Sequence, residues 1–408
     1  MEKGLTRFQV LFMTLTCALV TGNLYYNQPL LGILAREFAV SEQAISVVPA
    51  LTLIGYALGI LFLVPLGDMI ERRKLLQVSL LAAGSFAIGI AFSRSYYLLC
   101  ALSFAMGFFN ISGSVLIPFS AHLARPRERG KVVGTVLSGI LLGSLMARTL
   151  AGVFGEHFGW QSAFIFAGSA SLILMLVTPL ALPSSEPSFN GTYKDLLVSM
   201  KNLVRDLPVA REAAMIGSLV FLTFSAFWTT LTFLLEGEPF NYSPQTIGFF
   251  GALGMIGALA APLTGRYADK KGAAATIRLG IYSTMGAFLL LGIAGSQVVG
   301  LIIAVLLLDM GVQVAHISNQ SRIFELNAEA RSRLNTIYIF SYFVGGSLGS
   351  FIGSQLWSWG RWPAVCLGGL TICGLAMLIF RRGEKRRQEA TAAQLAKASG
   401  QLGQEASL

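Results

Sequence analysis

Apolar runs of about 20 residues recur along this sequence, and charged residues are almost confined to the segments between them. The hydrocarbon core of a bilayer is about 30 Å thick, and roughly 20 apolar residues in a helix span it. Only 12% of the residues are charged, against about a quarter in an ordinary soluble domain. The pattern predicts an all-α membrane protein with twelve transmembrane helices, near residues 8–31, 44–66, 75–92, 97–122, 132–155, 161–183, 213–235, 245–265, 275–295, 298–320, 334–356 and 363–380.

Lysine and arginine are distributed unevenly between alternate loops. One set of loops and the tail segment RRGEKRR are rich in basic residues, whereas the other set offers Arg36, Arg94 and Arg361. Because basic loops stay on the cytoplasmic side of a membrane, we predict that both termini are cytoplasmic. The net charge of +10 follows from this topology and does not indicate a nucleic-acid partner. We expect the chain to lie in a bacterial inner membrane.

A polar interval after the sixth run divides the chain. Inside it, apolar residues from Leu196 to Leu207 repeat at helical spacing opposite Lys194, Lys201 and Arg205. This spacing predicts an amphipathic helix, which either lies on the inner membrane surface or is a solvated linker helix. The predicted organisation is an N-terminal six-helix half at 1–183, a cytoplasmic linker at 184–212, a C-terminal six-helix half at 213–380 and a cytoplasmic tail at 381–408.

The two halves resemble each other at an offset of about 201 residues. The segment PLGDMIERRK after the second run contains Asp68, and PLTGRYADKKG after the eighth contains Asp269. Two further matches pair RPRERGK with NAEARSRLN, and GWQSAF with GRWPAV. Duplicated six-helix halves are typical of transporters whose substrate site lies near mid-membrane, between the repeats.

With these motifs the chain resembles the major facilitator superfamily over nearly its whole length. That family has a glycine, an aspartate and basic residues after the second helix, and both copies here match it in part. The resemblance implies a conformational latch, in which a carboxylate caps the positive N-terminus of a neighbouring helix in one state only. Alternatively, these charges only determine topology. The predicted latch residues are Asp68, Arg72, Arg73, Asp269 and Lys270.

Small residues recur at four-residue spacing in the fifth and eleventh runs, and the eighth run contains Gly248, Gly251, Gly254 and Gly257. Such a face lets helix backbones approach closely in lipid, so we expect these helices to pack across the two halves. A glycine-rich fifth helix resembles that of proton-driven antiporters, although Arg148 stands where their pattern has proline and Ser103 stands where their fourth helix usually has arginine. The predicted packing glycines are Gly139, Gly143, Gly152, Gly345, Gly349 and Gly353.

Two formal charges fall well inside apolar runs, Arg148 in the fifth and Asp309 in the tenth. Each costs about 2.5–3.5 kcal/mol at a helix centre and calls for a pairing or functional reason. A carboxylate taken out of water binds a proton more readily, so we predict that Asp309 carries protons, with His316 or Arg148 modulating it. A static ion pair with Arg148, hydrogen bonds that merely satisfy the carboxylate, and direct contact with substrate are the alternatives. Arg148 lies nearer the outer side and is expected to reach outward.

Polar and aromatic residues in five runs form the predicted substrate cavity. Asp309, Gln313, His316 and Gln320 share one helical face, and Asn23, Tyr26 and Asn27 share another. Amides and aromatic rings suit a small molecule with rings and hydrogen-bonding groups. The alternative is hydrogen bonding between helices. The predicted lining is Asn23, Tyr26, Asn27, Asn110, Phe227, Trp228, Gln313, Gln320, Tyr338 and Tyr342.

The sequence therefore favours a secondary active transporter that exports a small organic molecule by alternating access, driven by protons or another cation. Proton-coupled uptake is the alternative, and a channel or sensor without active transport is an alternative of another class. No phosphate-binding loop of the G-x-x-x-x-G-K-[ST] type is present, and the four cysteines have no metal or disulfide spacing. We expect a monomer in the lipid bilayer, without enzymatic activity, cofactor or metal.

Overall fold

The computed structural model describes residues 4–184, 191–258, 272–327 and 330–405, and the side chains among them except those of 255–258, 390–391 and 393–405. Secondary structure in this part of the chain is helical throughout. The α-helices are α1 (Arg7–Gly22), α2 (Leu31–Glu37), α3 (Glu42–Ile45), α4 (Val47–Phe62), α5 (Arg72–Ala91), α6 (Tyr96–Phe109), α7 (Ser112–Leu123), α8 (Arg129–His157), α9 (Trp160–Ala181), α10 (Tyr193–Asp206), α11 (Pro208–Glu236), α12 (Pro244–Ala258), α13 (Ala273–Ala294), α14 (Val298–Phe324) and α15 (Arg331–Glu405).

Several predicted spans contain local breaks. The first passes from α1 through a turn and the 3-10 helix Gln28–Leu30 into α2, where Pro29 cannot donate a backbone hydrogen bond. The fourth is divided at Asn110 between α6 and α7. In α15 the backbone leaves helical geometry at Gly360 and Arg361. These breaks let polar side chains from short turns enter an otherwise helical bundle.

The described residues contain nine helical stretches long and apolar enough to cross a membrane, and Arg7–Gly22 is a shorter apolar helix. The stretch Arg331–Glu389 is counted once although it contains the break at Gly360. The helix α12 ends at residue 258, beside the undescribed 259–271. An all-helical membrane architecture is thus confirmed, whereas the count of twelve spans and the position of the termini remain predictions.

The helix α11 lies at the centre of the bundle. Within its most apolar window 89% of the residues are buried by protein, against 39–56% in the other apolar stretches. It packs along α15. Its central position brings its side chains within reach of both halves of the chain.

Glycine contacts follow the same plan in both halves. Gly139 and Gly143 of α8 lie against the backbone of α1 at Thr14 and Ala18. A Cβ added at either glycine would collide with a carbonyl oxygen of α1. These two glycines therefore join α8 to α1 within the N-terminal half, whereas the predicted packing of the fifth and eighth helices across the halves occurs at Gly152 and Gly248.

The glycines of α15 have the equivalent neighbours in the C-terminal half. Gly345, Gly349 and Gly353 lie against Ser218, Leu222 and Ala226 of α11, in that order. Their periodicity identified a close-packing face correctly but gave the wrong partner. Gly152 is the exception, because it contacts α12 at Pro244 and Gly248 and so joins the two halves.

The linker helix α10 bridges the halves at one end of the bundle. Its N-cap Thr192 accepts a hydrogen bond from the backbone N–H of Asp195, and Thr192 hydrogen bonds hold the pKa of the Asp195 carboxyl below its usual range. The Tyr193 hydroxyl donates to the carbonyl of Phe62 at 2.8 Å, and Arg333 donates to Ser199. Leu196 and Met200 of α10 are buried by protein rather than facing lipid.

Candidate functional site

Arg148 is fully inside the protein. It lies in the middle of α8 and is 2% exposed. Its guanidinium carbon lies 4.7 Å from the ring centroid of Tyr25, 4.3 Å from that of Trp228 and 5.7 Å from that of Phe224. Aromatic faces attract cations most strongly where water is absent. The expectation that Arg148 reaches outward is wrong, because these rings hold it in the interior.

The hydrogen bonds of Arg148 use only part of its donor capacity. Its Nε donates to Oε1 of Gln28 at 2.7 Å, and its Nη1 donates to the carbonyl of Ser144 at 3.0 Å. Its Nη2 is buried without an acceptor. Guanidinium carries five N–H donors, so one end of the group still has binding capacity.

Asp309 approaches the same region from the C-terminal half. This residue of α14 is 4% exposed, and its Oδ2 is buried without a hydrogen bond. Arg148 and Asp309 interact electrostatically, but the ion pairs within 4.0 Å among the described side chains do not include them. The two charges thus face each other across the halves without a direct salt bridge.

The glycines of α12 allow both charged residues to approach. A Cβ added at Gly251 would lie 2.7 Å from the Cβ of Arg148, and one added at Gly254 would lie 2.6 Å from Oδ2 of Asp309. Side chains at these positions would occupy the space beside each charge. The helix α12 packs against both α8 and α14. Because it has glycines beside Arg148 and Asp309, it leaves space for both charged side chains.

The predicted polar face of α14 is directed toward α15. Nδ1 of His316 is 3.1 Å from the Tyr338 hydroxyl, and the His316 and Tyr342 ring centroids are 4.5 Å apart. Gln320 donates to Asn335 at 2.8 Å. Gln313 is partly exposed. The face from Asp309 to Gln320 is therefore internal, although the structure does not test its role in proton movement.

The amides of the first span bond to other helices. Asn23 donates to Asn110 at 3.0 Å, Asn110 donates to the carbonyl of Val20 at 3.0 Å, and Asn27 donates to Thr52 at 3.2 Å. The Oδ1 atoms of Asn23 and Asn27 remain buried without a partner. These contacts agree with the alternative of hydrogen bonding between helices. The unpartnered oxygens are still able to accept hydrogen bonds from a ligand.

The remaining predicted lining residues are closely packed. Tyr26 is buried with its hydroxyl against Gly22. Phe227 is completely buried, with its ring centroid 5.5 Å from Trp228 and 6.0 Å from Trp362. Tyr342 stacks on Phe221 at a centroid distance of 4.0 Å. All of these side chains are covered by protein, so none lies on a lipid-facing surface.

The residues of the predicted latch are arranged within their own segment. Asp68 accepts from Arg72 at 2.9 Å, and Arg72 also donates to the carbonyl of Gly67 at 3.1 Å. Arg73 pairs with Glu71 at 3.1 Å. Among the residues that the structure describes, Asp68 caps no neighbouring helix. Asp269 and Lys270 lie outside the described residues.

A cavity lies between these residues and the start of α15. Its lining includes Asp68 and Arg72 from the N-terminal half, Leu196 and Met200 from α10, and Arg333 from α15. We call this region the α10 end of the bundle. Here the linker helix stands between the two halves.

The opposite end, which we call the α3 end, is closed by polar contacts between the halves that the sequence analysis missed. Glu42 of α3 accepts from Nε1 of Trp357 at 2.7 Å and from Arg361 at 3.1 Å. Arg36 pairs with Glu236 at 3.4 Å. The signal was available, since Arg36 and Arg361 are two of the few basic residues in their set of loops and each faces an acid from the other half.

Hydrogen bonds between side chains and backbone also join α8 to α12 at the α3 end. The Thr149 hydroxyl donates to the carbonyl of Gly248 at 2.9 Å, and the backbone N–H of Gln245 donates to Glu156 at 3.1 Å. Such a contact requires the small faces of α8 and α12 to lie together. The α3 end is therefore held by direct contacts in several layers.

Comparison with known proteins agrees with this architecture. The family model of the Major Facilitator Superfamily matches residues 11–349. The chain belongs to this superfamily. Within it, the chain is 39% identical over 382 residues to Uncharacterized transporter YgaY of Escherichia coli O157:H7, covering 93% of this chain and 97% of the relative.

Two solved structures share the fold at low identity. The nucleoside transporter NupG has a TM-score of 0.73 at 12% identity, with 92% of this chain and 98% of that chain covered. The human organic anion transporter MFSD10 has a TM-score of 0.68 at 17% identity, with the same coverage of 92% and 98%. This superfamily member is therefore a multi-pass membrane transporter.

Proposed function

We propose that the protein exports a small organic molecule by alternating access, driven by the proton gradient, with Asp309 as the proton carrier. The observation that carries this proposal is the buried carboxylate of Asp309, which faces Arg148 of the other half without a direct salt bridge. A carboxylate in this position has a reason to bind a proton, because burial penalises its charged form. It also retains a reason to lose the proton, because Arg148 favours the carboxylate.

Alternating access is supported by the contrast between the ends of the bundle. By the predicted orientation, the α3 end faces outward and the α10 end faces the cytoplasm. Rocking the halves would break the α3-end contacts of Glu42 and Glu236. The contact between Gly152 and Gly248 is suited to this motion because it lacks interlocking side chains.

The second candidate is uptake together with a proton, and the unpartnered Nη2 of Arg148 favours it. When Asp309 is protonated, Arg148 loses its counter-charge and becomes free to bind an anion. Proton and anion would then bind together, which is the requirement for symport. The related folds do not decide the matter, since NupG is a nucleoside transporter and MFSD10 is an organic anion transporter.

Transport in everted membrane vesicles with an acidified lumen separates the two directions. The probes are indole-3-acetate, indole-3-ethanol and tryptamine, which share one ring and differ in charge. Export predicts uphill accumulation of a probe in the lumen with release of lumenal protons. Symport predicts that no added probe accumulates in this direction, whereas right-side-out vesicles accumulate it.

Asp309→Asn tests the proton carrier in the same vesicles. We expect it to abolish proton-coupled accumulation while exchange of the probe down its own gradient continues. Asp206→Asn on the exposed face of α10 is the matched control. Unchanged coupling in Asp309→Asn would exclude Asp309 as the carrier, and a probe that only equilibrates in the wild type would indicate a channel.

A further inference from the structure

We infer that the ligand held beside Arg148 is an organic monoanion with an aromatic ring. This inference rests on the proposed function in one respect, that the transported ligand occupies the centre between the halves. Its charge argument has proton and anion bound together, so it agrees with the second candidate, uptake with a proton. Three features of the centre favour such a ligand: an unused donor, a balance of charge and a band of ring faces.

The unused donor is Nη2 of Arg148. Arg148 is 2% exposed, and Nη2 has no acceptor even though Gln28 and Ser144 bind the rest of the group. A buried guanidinium N–H without a partner is costly. A carboxylate is its best acceptor because guanidinium–carboxylate hydrogen bonds are charge-assisted.

A second buried donor lies next to it. Nε1 of Trp228 interacts with the carboxyl of Asp309, but the two do not form a hydrogen bond of good geometry. The unpartnered Nη2 of Arg148, with this N–H beside it, favours a ligand that brings acceptor oxygens. The two buried Oδ1 atoms of Asn23 and Asn27 in the first span could receive donor groups elsewhere on the same ligand.

The balance of charge excludes organic cations as the preferred ligand. Ionised Asp309 offsets Arg148, so a cation would leave the closed centre with net positive charge. Protonated Asp309 leaves Arg148 alone, and a monoanion then restores neutrality. Charges interact strongly where water is excluded, and an uncompensated buried charge is strongly destabilising.

The ring faces indicate an aromatic ligand. Trp228 lies under the guanidinium at 4.3 Å, and the ring centroids continue from Trp228 to Phe224 at 6.1 Å and from Phe224 to Phe221 at 5.4 Å. Tyr342 then stacks on Phe221 at 4.0 Å. Aromatic rings add to such a band by stacked or edge-to-face contacts. In a ligand that carries both groups, the acid group would bind Arg148 and the ring would pack on this band.

Equilibrium dialysis of the purified wild-type protein with two matched probe sets tests the inference. The first set is indole-3-acetate, indole-3-ethanol and tryptamine, and the second is 4-hydroxyphenylacetate, tyrosol and tyramine. In at least one set we expect the anion to bind about ten- to a hundredfold more tightly than the neutral and cationic compounds, the size of a charge-assisted hydrogen bond. Equal or tighter binding of the cation, or no binding of either anion, overturns the inference.

Arg148→Gln tests whether Arg148 causes the preference for the anion. The affinity for the anion should fall to that of the neutral probe, whereas Arg129→Gln on the exposed start of α8 should preserve the preference. A preference that persists in a monodisperse Arg148→Gln protein contradicts the assignment, and the wild-type comparison stands even if this variant does not fold. Dialysis involves no gradient, so failure of proton coupling in vesicles leaves its result intact and the two proposals fail separately.

Discussion

The two ends of the bundle hold the halves together in different ways. At the α3 end, Glu42 and Glu236 bind residues of the opposite half directly. At the α10 end, Asp68 is paired within its own segment, and the linker helix lies between it and Arg333. Opening of the α3 end would therefore require direct contacts to break, whereas opening of the α10 end would require a separate helix to move.

This difference predicts unequal responses to mutation. Changes at the α3 end should shift the population toward a state open at that end, and changes in α10 should act in the opposite direction. Population shifts of this kind follow the differential free energy between two states. Spin-label distances measure both openings without a known substrate, using a chain whose four cysteines are replaced by alanine.

Gly248→Val should have the largest effect. A Cβ at Gly248 would lie 2.6 Å from the carbonyl oxygen of Arg148 and 3.2 Å from Cα of Gly152, so valine forces α8 and α12 apart. We expect the state closed at the α3 end to be lost. Labels at Tyr97 and Val299, exposed near this end in opposite halves, should move apart by several ångströms.

Gly286→Val is the control for Gly248→Val. It makes the same substitution in the middle of α13, where an added Cβ meets nothing within 4 Å. Its label distance should equal that of the parent chain. If Gly248→Val gave the parental distance as well, the backbone contact between α8 and α12 would not determine closure.

Glu42→Ala should have the next largest effect. It removes the acceptor of both Trp357 and Arg361, and two hydrogen bonds of this kind contribute about 1–3 kcal/mol together. We expect roughly a tenfold shift or more toward the state open at the α3 end, measured with the Tyr97 and Val299 labels. Arg361→Gln, which removes one of the two partners, should give a smaller shift, and an equal one would argue that Trp357 contributes nothing.

The sequence identified the charged residues at the centre, but it did not identify the residues that contact them. Arg148 and Asp309 are conspicuous as charges in apolar runs, and both are buried as their cost requires. Their surroundings could not be read from the sequence, because Tyr25 and Trp228 reach Arg148 from distant parts of the chain. Helical periodicity fixes which residues share a face but not which helix that face meets.

The same limit explains the error at the glycines. The four-residue rhythm of Gly139 and Gly143 correctly indicated close approach of two backbones, yet the partner is α1 of the same half. Asn23 shows a related limit, because its amide donates a hydrogen bond to Asn110. A polar face in a membrane helix is compatible with hydrogen bonding between helices and with lining of a cavity, and residue type alone does not choose between them.

Tyr193→Phe tests how α10 holds its end of the bundle closed. It removes the hydroxyl that donates to the carbonyl of Phe62 at 2.8 Å, a loss of about 0.5–1.5 kcal/mol. We expect a few-fold shift toward the state open at the α10 end, seen as a longer distance between labels at Leu180 and Glu325. The distance at the α3 end should not lengthen, and lengthening there would contradict the opposed action of the two ends.

Arg36→Gln should have the smallest effect. Arg36 pairs with Glu236 at 3.4 Å, but its side chain is 68% exposed, and exposed pairs contribute about 0–1 kcal/mol. We expect at most a few-fold shift toward the state open at the α3 end, and this shift should shrink in high salt because ions screen exposed charges. The shift from Glu42→Ala should persist in the same salt, since Nε1 of Trp357 is an uncharged donor. A large, salt-resistant shift from Arg36→Gln would instead place the main closure of this end at Glu236.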